Sequence, residues 1–409
     1  MVTAGHLATC PRMLKAADAL AMAGYRVRVV STRHIAWATA VDDVVRAPRR
    51  ASWQWTVVDY SRGGSPATYA WSGARRRLAR SVAGAIGVSR CPVAIAARAY
   101  GRVHSELVRR AIAEPSDLYY GGTTGALAAT AEAARRTGVP YALDLEDFHS
   151  GEHDEARSRF THSLARRIEG SILPGAAVLT ASSSAISAAY NDTYGVSPVT
   201  VRNTFPLPAR APDVHRRDPE RLKLYWFSQT IGPGRGLEDA VRAIGLAGVA
   251  SELHLRGRLV PAYGTVLVRL AAQVAPRLTI VVHEPASPDA MVELCREYDV
   301  GLALEQNHVV NRALCLTNKA FTYVLAGLAV AMTDTPGQRP LGLDLGDGAV
   351  LYSPGDVSGL GERLKRWATD DEALIRAKKA AWQAARTRWH WEHAEERGAL
   401  VAAIARAVR

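Results

Sequence analysis

The chain has 409 residues, 48% of them apolar and 22% charged, with a formal net charge of +12 and four cysteines. That length is too great for one ordinary core and suits two domains of about 200 residues each. No apolar run approaches the roughly 20 residues that span a bilayer, no charged-then-apolar leader opens the sequence, and Cys10, Cys91, Cys295 and Cys315 form no C-x-x-C pair, so a cytoplasmic protein with reduced thiols is expected.

The excess charge is mostly arginine, which fits either an arginine-favouring codon usage or an anionic partner. A nucleic-acid partner would need basic residues interleaved with aromatics on one element, and no such element is seen, so none is expected.

Short apolar runs alternate with helical periods along the whole chain. The first strand has only Met1 to Ala4 before Gly5 and His6, where about five residues are usual, so it is either unusually short or begins upstream of the first residue given. A helix over Pro11 to Ala23 follows, then a strand at Tyr25 to Ser31, and a period-two strand from Trp53 to Tyr60 with Trp53, Trp55 and Val57 on one face. Gly73 to Arg110 holds nine arginines on an alanine-rich helical pattern, which reads as a solvated face or as a basic amphipathic surface for an anionic membrane. Strands at Asp117 to Tyr120, Tyr141 to Leu145 and Ala176 to Thr180 complete the first half. Strand-helix alternation of this kind predicts a parallel sheet covered on both faces.

Residues 206–219 hold four prolines and little apolar content, and predict a linker. The pattern then restarts with strands at Leu222 to Ser228, Glu252 to Arg256, Thr279 to His283, Val300 to Leu304 and Leu328 to Met332. Helices are expected at Gly236 to Leu246, Gly264 to Ala275 and Pro288 to Tyr298, and one long Trp-rich helix at Lys378 to Arg409.

The stretch LCLTNKAFTYVLAGLAVAMTDTPGQ, Leu314 to Gln338, is the most informative. A polar Thr317-Asn318-Lys319 turn opens an amphipathic helix that ends at Gly327. A helix start offers unpaired N–H groups and a positive dipole end, a place for a phosphate, and Lys319 adds a full charge there. A lysine at that end is unfavourable unless an anion is near. The loop Ser228 to Glu238, with Gly234, Arg235 and Gly236 between a strand and a helix, has the layout that brings backbone N–H groups to a phosphate. Its plain alternative is a turn with an exposed arginine. Glu305, at the end of its strand, sits where open α/β sheets place ligand contacts, and is expected to accept hydrogen bonds from sugar hydroxyls or to be a solvated loop carboxylate.

These segments resemble the donor site of retaining glycosyltransferases of the GT-B fold, family 4 in particular, whose pattern is close to P-N-K-x-x-E-Y-x-x-A-G-x-P-V. Thr322 stands at the position of the family's ribose-binding glutamate, and Leu314 at that of its partner eight residues earlier. Further similar segments are Leu179 to Ser183 with Tyr194-Gly195-Val196 and Val201-Arg202-Asn203, and Gly348 to Asp356. The resemblance implies an α/β protein with two Rossmann-like domains facing across a cleft, 1–205 on the acceptor side and 220–390 binding the nucleotide sugar, with 391–409 crossing back to the first. It implies donor contacts from Thr317, Asn318, Lys319, Thr322, Gly234, Arg235, Glu305, Gly257 and His283. The last two end strands in segments that also read as ordinary strand ends. On the acceptor side it points to His6, beside a loop that alternatively reads as a helix start capped by Thr9.

Residues 144–153, from Asp144 to His153, form the densest polar cluster. It follows a strand, so Glu146, Asp147 and His149 are expected at a sheet's C-terminal edge, in catalytic positions by resemblance. The rivals are a cluster of helix-start acids and a metal site using His149 and His153, four apart. The spacing is not H-E-x-x-H, and no Asp-x-Asp occurs in the chain. No metal and no cofactor are therefore expected, the donor's diphosphate being neutralised by Lys319, Arg235 and helix N-termini.

The function these signs imply is metal-independent transfer of a sugar from a nucleotide-diphosphate donor, with retention, to a small-molecule or lipid-linked acceptor. Alternatives are a sugar-nucleotide epimerase or pseudo-glycosyltransferase of the same fold, and a non-catalytic interaction protein. The expected location is the cytoplasm, with 73–110 as a candidate contact to the inner membrane face.

Overall fold

The computed structural model describes residues 1–152 and 155–408. By its internal contacts the chain divides into two units, Met1–Arg202 with Ala394–Arg409, and Asn203–His393. Residues 206–219, expected as a linker, cluster with the second unit. The Arg217 N–H donates to Asp299 at 2.9 Å, and Lys378, fully buried, donates to the same carboxylate at 3.2 Å.

In the first unit, strands β1 (Val2–Thr3), β2 (Arg28–Arg33), β3 (Gln54–Asp59), β4 (Tyr119–Gly122), β5 (Tyr141–Leu145), β6 (Val178–Ala181) and β7 (Val199–Thr200) form one sheet, ordered β3-β2-β1-β4-β5-β6-β7. Every pairing is parallel. β1 is as short as expected, and the Met1 carbonyl extends its pairing by accepting the Val30 N–H at 2.9 Å. Parallel strands need crossover helices, and these bury both faces, so the central strands read as apolar runs. β4, β5 and β6 are buried throughout apart from Tyr141.

The second unit repeats the plan with β8 (Leu222–Ile231), β9 (Ser251–Leu259), β10 (Leu278–His283), β11 (Val300–Ala303), β12 (Ala329–Thr333) and β13 (Ala349–Tyr352), ordered β10-β9-β8-β11-β12-β13 and parallel. Alternate residues feed two cores. Leu224, Trp226, Leu302 and Ala331 face one, and Tyr225, Ala303, Val330 and Met332 the other. In both sheets the strand order reverses beside the first strand of the unit. Open α/β sheets bind ligands outside the carboxyl ends of the strands at that switch point.

The long terminal helix expected over 378–409 is instead two α-helices, Asp371–Thr387 and Ala399–Val408, with residues 388–393 irregular between them and a π-helical turn, Ala394–Gly398, leading into the second. Trp389 and Trp391 are both buried, and the Trp391 N–H donates to the Phe205 carbonyl at 2.8 Å. Residues two apart lie on opposite sides of a helix, so a single helix face would not bury both tryptophans.

Candidate functional site

The switch point of the second sheet lies between β8 and β11. Past the end of β8 comes the loop with Gly234 and Arg235; past the end of β11 comes Glu305. Gly236 has φ +75°, and a Cβ there would meet the Leu304 carbonyl oxygen at 2.8 Å, so only glycine lets the two loops touch. Gly234 lies against His308, about 3.6 Å from its ring for an added Cβ.

The helix Asn318–Leu325 is pressed onto β11. Gly301 leaves room for the Tyr323 ring, which an added Cβ would approach to 2.1 Å, and the Tyr323 hydroxyl donates to the Leu302 carbonyl at 3.2 Å. That packing sets Lys319 against Glu305. Lys319 Nζ is 2.8 Å from Glu305 Oε1, and Arg312 Nη1 is 3.7 Å from Oε2. Lys319 and Glu305 are both 7% exposed. Burial pushes the Glu305 carboxyl up, but Lys319, then Arg312 and Arg235, pull it below its ordinary value. Burial also lowers the Arg235 guanidinium, as does the positive charge of Arg312, with Glu305 opposing. Arg235 makes no hydrogen bond to a described residue. Three cations thus face one carboxylate, and the surplus suits a dianionic ligand.

The start of the same helix is open. Thr317 occupies the N-cap with no side-chain cap bond, and its buried Oγ1 has no hydrogen-bond partner among the described residues. A buried orphan hydroxyl is costly unless something satisfies it. Asn318, half-buried beside it, gives its carbonyl to the Thr322 hydroxyl at 2.9 Å.

Thr322 itself is fully buried with its hydroxyl used inside the helix, so the expected contact from Thr322 to a donor is not presented here. Glu305 differs from expectation too: both of its oxygens face cations rather than standing open to sugar hydroxyls. Its loop is braced from behind. Thr333 Oγ1 donates to the Glu305 carbonyl at 2.7 Å, and Gln338 Nε2 reaches the Ala303 carbonyl at 3.1 Å and Thr333 Oγ1 at 2.8 Å.

Gly257 lies in β9 and His283 at the end of β10, one and two strands out from β8. An added Cβ at Gly257 would approach the Ser228 carbonyl oxygen to 2.1 Å, beside the irregularity between Phe227 and Thr230. His283 ends the outer strand β10, where its Nε2 pairs with His254 Nδ1 at 2.9 Å, and His254 Nε2 with Glu252 at 3.0 Å. Burial lowers the pKa of both rings.

In the first unit, Glu146, Asp147 and His149 do follow β5 at the sheet's C-terminal edge. Below them Arg12 Nε and Nη2 grip Asp144 Oδ2 and Oδ1 at 2.7 and 2.8 Å, a buried fork that carries the loop. Burial, and then Asp147, push Glu146 above the usual carboxylate range; burial, and then Arg12, push Lys15 below the usual lysine range. A carboxyl so shifted at a sheet edge is a candidate acid or base.

His149 is 2% exposed, with Nδ1 2.5 Å from Glu152 Oε1 and 2.9 Å from Thr124 Oγ1. Burial lowers its pKa, but the charge and hydrogen bond of Glu152 outweigh that and raise it to about 9. Asp147, His149 and Glu152 bring ligand atoms within 4.8 Å of one another, close enough to share a cation. His153, the other histidine of the metal alternative, lies outside the described residues.

His6 is placed differently from the catalytic expectation. Its Nε2 accepts N–H groups from His34 and Ile35, each at 3.0 Å, and its Nδ1 meets Asp42 at 2.7 Å, with both side chains buried. An Nε2 that accepts two donors carries no proton, so the ring's one hydrogen sits on Nδ1 and points at Asp42. Both nitrogens are used in holding the loop after β1. Thr9 does not cap the next helix either; its hydroxyl donates to the His6 carbonyl at 3.0 Å.

Arg312 was missed by the sequence reading, as was Arg12. The one available sign for Arg312 was a basic residue on a short segment just before Thr317-Asn318-Lys319.

Two Rossmann-like sheets in one chain, each with its own switch point, define the GT-B fold of glycosyltransferases. The structure resembles Anabaena HepE in complex with UDP-glucose, at 14% identity and TM-score 0.65, covering 99% of this chain and 97% of that one. It resembles sucrose-phosphate synthase from Thermosynechococcus elongatus, at 12% identity and TM-score 0.65, covering 99% and 96%. It also resembles a glycosyltransferase from Rickettsia africae, at 9% identity and TM-score 0.61, covering 100% and 96%. Neither a family model nor a curated protein sequence matches the chain.

Proposed function

We propose that the chain transfers a glycosyl group from a nucleoside diphosphate sugar to an acceptor, with retention at the anomeric carbon and without a metal ion. The observation that carries this is the convergence of Arg235, Arg312 and Lys319 on Glu305, beside a helix start whose N-cap hydroxyl is unsatisfied. The bond from the anomeric carbon to the diphosphate oxygen breaks as the acceptor oxygen bonds that carbon from the same face, and the charge gathering on the leaving oxygen is met by those cations and the helix start. The departing phosphate takes the acceptor's proton on the same face, as in the enzymes this sequence resembles, so no paired carboxylates are required. Glu305 keeps two of the cations, Lys319 and Arg312, aimed. That HepE is seen with UDP and with UDP-glucose supports a nucleotide-sugar donor.

The acceptor side of the proposal includes contact with an anionic membrane face in the cytoplasm. Among the described residues, no helix is long and apolar enough to cross a membrane. The helix Pro66–Ile86 instead exposes Trp71 and Leu78, at 66% and 67%, one face apart by two turns and next to Arg77. Failure to sediment with phosphatidylglycerol vesicles would remove this part alone.

The central test is incubation with a panel of nucleotide sugars, reading anomeric configuration in the product or hydrolysis product by NMR, with and without chelator. Turnover that survives chelator and keeps the donor's configuration is expected. Absence of binding by any nucleoside diphosphate would leave only the interaction-protein reading.

A further inference from the structure

A cavity of about 670 Å³ opens in the first unit beside the ends of β2 and β3. Three arginines line it: Arg33, Arg62 and Arg102. Each is set against an aromatic wall. Arg102 lies 4.0 Å from the Tyr69 ring centre and 5.6 Å from that of Tyr60, and Arg62 is 5.1 Å from Tyr69. Arg33 lies 5.5 Å from the ring centre of Trp55.

Arg102 is fixed in place, with Nε donating to Ser72 Oγ at 3.1 Å and Nη2 to the Tyr69 carbonyl at 2.5 Å. Arg33 gives one nitrogen to Asp43 at 3.1 Å, while its buried Nε has no partner among the described residues. Arg62 is exposed and forms no ion pair with a described residue. Two carboxylates oppose them. Asp43 pairs with Arg33, and Asp59 lines the cavity with Oδ1 already accepting the Ser61 N–H at 2.8 Å. Three guanidiniums against two carboxylates leave a net positive cavity.

The neighbouring groups register that charge. Hydrogen bonds from Arg62, then Arg102, pull the Tyr69 phenol below its ordinary value. Burial, then His6 and Arg102, lower the pKa of His34, whose ring stacks on Tyr60 with ring centres 4.6 Å apart. Like-charged guanidiniums held round one cavity repel unless an anion joins them. Arginine forks fit carboxylate and phosphate oxygens, and flat rings keep the forks aligned.

We propose that this cavity binds a small carboxylate or phosphate ester through Arg33, Arg62 and Arg102. It deepens the transferase reading by giving the acceptor an anionic group, and for the word acceptor it rests on that reading; the binding itself does not.

The test is calorimetric titration of the full chain with glucose 6-phosphate, glucuronate and glucose, and in parallel with UDP. One of the two anions, which tells phosphate from carboxylate, is expected to bind well above glucose. Arg62→Ala and Arg33→Gln are each expected to weaken it by about tenfold while UDP affinity holds. Arg62 has no ion pair to lose, so its variant keeps the test readable if Arg33→Gln misfolds. Equal binding of glucose, no binding of either anion, or unchanged affinity in the Arg62 variant overturns the proposal. Loss of UDP binding with anion binding intact sinks the donor reading and leaves this one standing.

Discussion

Lys319 Nζ and Glu305 Oε1 lie 2.8 Å apart, both nearly out of reach of solvent, at the switch point of the second sheet. A lysine at a helix start calls for an anion, and the Glu305 carboxylate supplies one. The pair keeps the lysine aimed, and the surplus charge from Arg235 and Arg312 stays available.

Lys319→Ala is expected to weaken UDP binding more than tenfold, about 1.4 kcal/mol or more. Arg312→Ala, at a residue the sequence did not single out, should act in the same direction. Calorimetric titration of UDP reads both. Wild-type affinity in both variants would remove the donor-site assignment.

Glu305→Gln leaves a buried lysine without its counter-ion, and breaking such a pair costs about 3 kcal/mol. A lower urea midpoint is expected in the absence of ligand, and saturating UDP should recover part of it by supplying the missing charge. A midpoint unaffected by the substitution would mean that the cations do not depend on Glu305.

His149 is raised to about 9 by Glu152, so its contribution to stability is present in full below pH 6.5 and is lost as pH climbs through about 9. By linkage the contribution is on the order of 3 kcal/mol. Glu152→Gln removes its main source. The stability gap between wild type and variant should therefore be widest at acid-neutral pH and close towards pH 9. A gap that widens with rising pH would contradict the protonated ring.

His6→Ala should act on folding before it acts on turnover. It takes the partner from buried Asp42 Oδ2, while Oδ1 keeps the Ala8 N–H, and leaves two backbone N–H groups without their acceptor, a loss of about 3 kcal/mol. Chemical denaturation measures it. A variant of full stability that has lost only activity would restore a catalytic part for His6.

The fold was readable because its signals are local. Tyr141 to Leu145 is a buried apolar run bounded by Pro140 and a polar cluster, and the strand has those same bounds. The helix after Thr317 announced itself through its polar start and the following Gly327. The site was readable only in part, because its chemistry is made by distant partners. Nothing near His6 tells that Asp42 and the backbone at His34 will consume its ring. Nothing near Arg312 tells that Glu305 will draw it in. The broken last helix did leave a trace: Trp389 and Trp391 alternate with His390 in a period no buried helix face can carry.

Residues 394–408 belong with the first unit, where fully buried Glu396 takes both the backbone N–H and the guanidinium of Arg202. On the ribosome that piece emerges only after all of the second unit has been made. The unit begun first is thus finished last, and a nascent chain halted before Ala394 holds an amino-terminal half that still lacks the partner of Arg202.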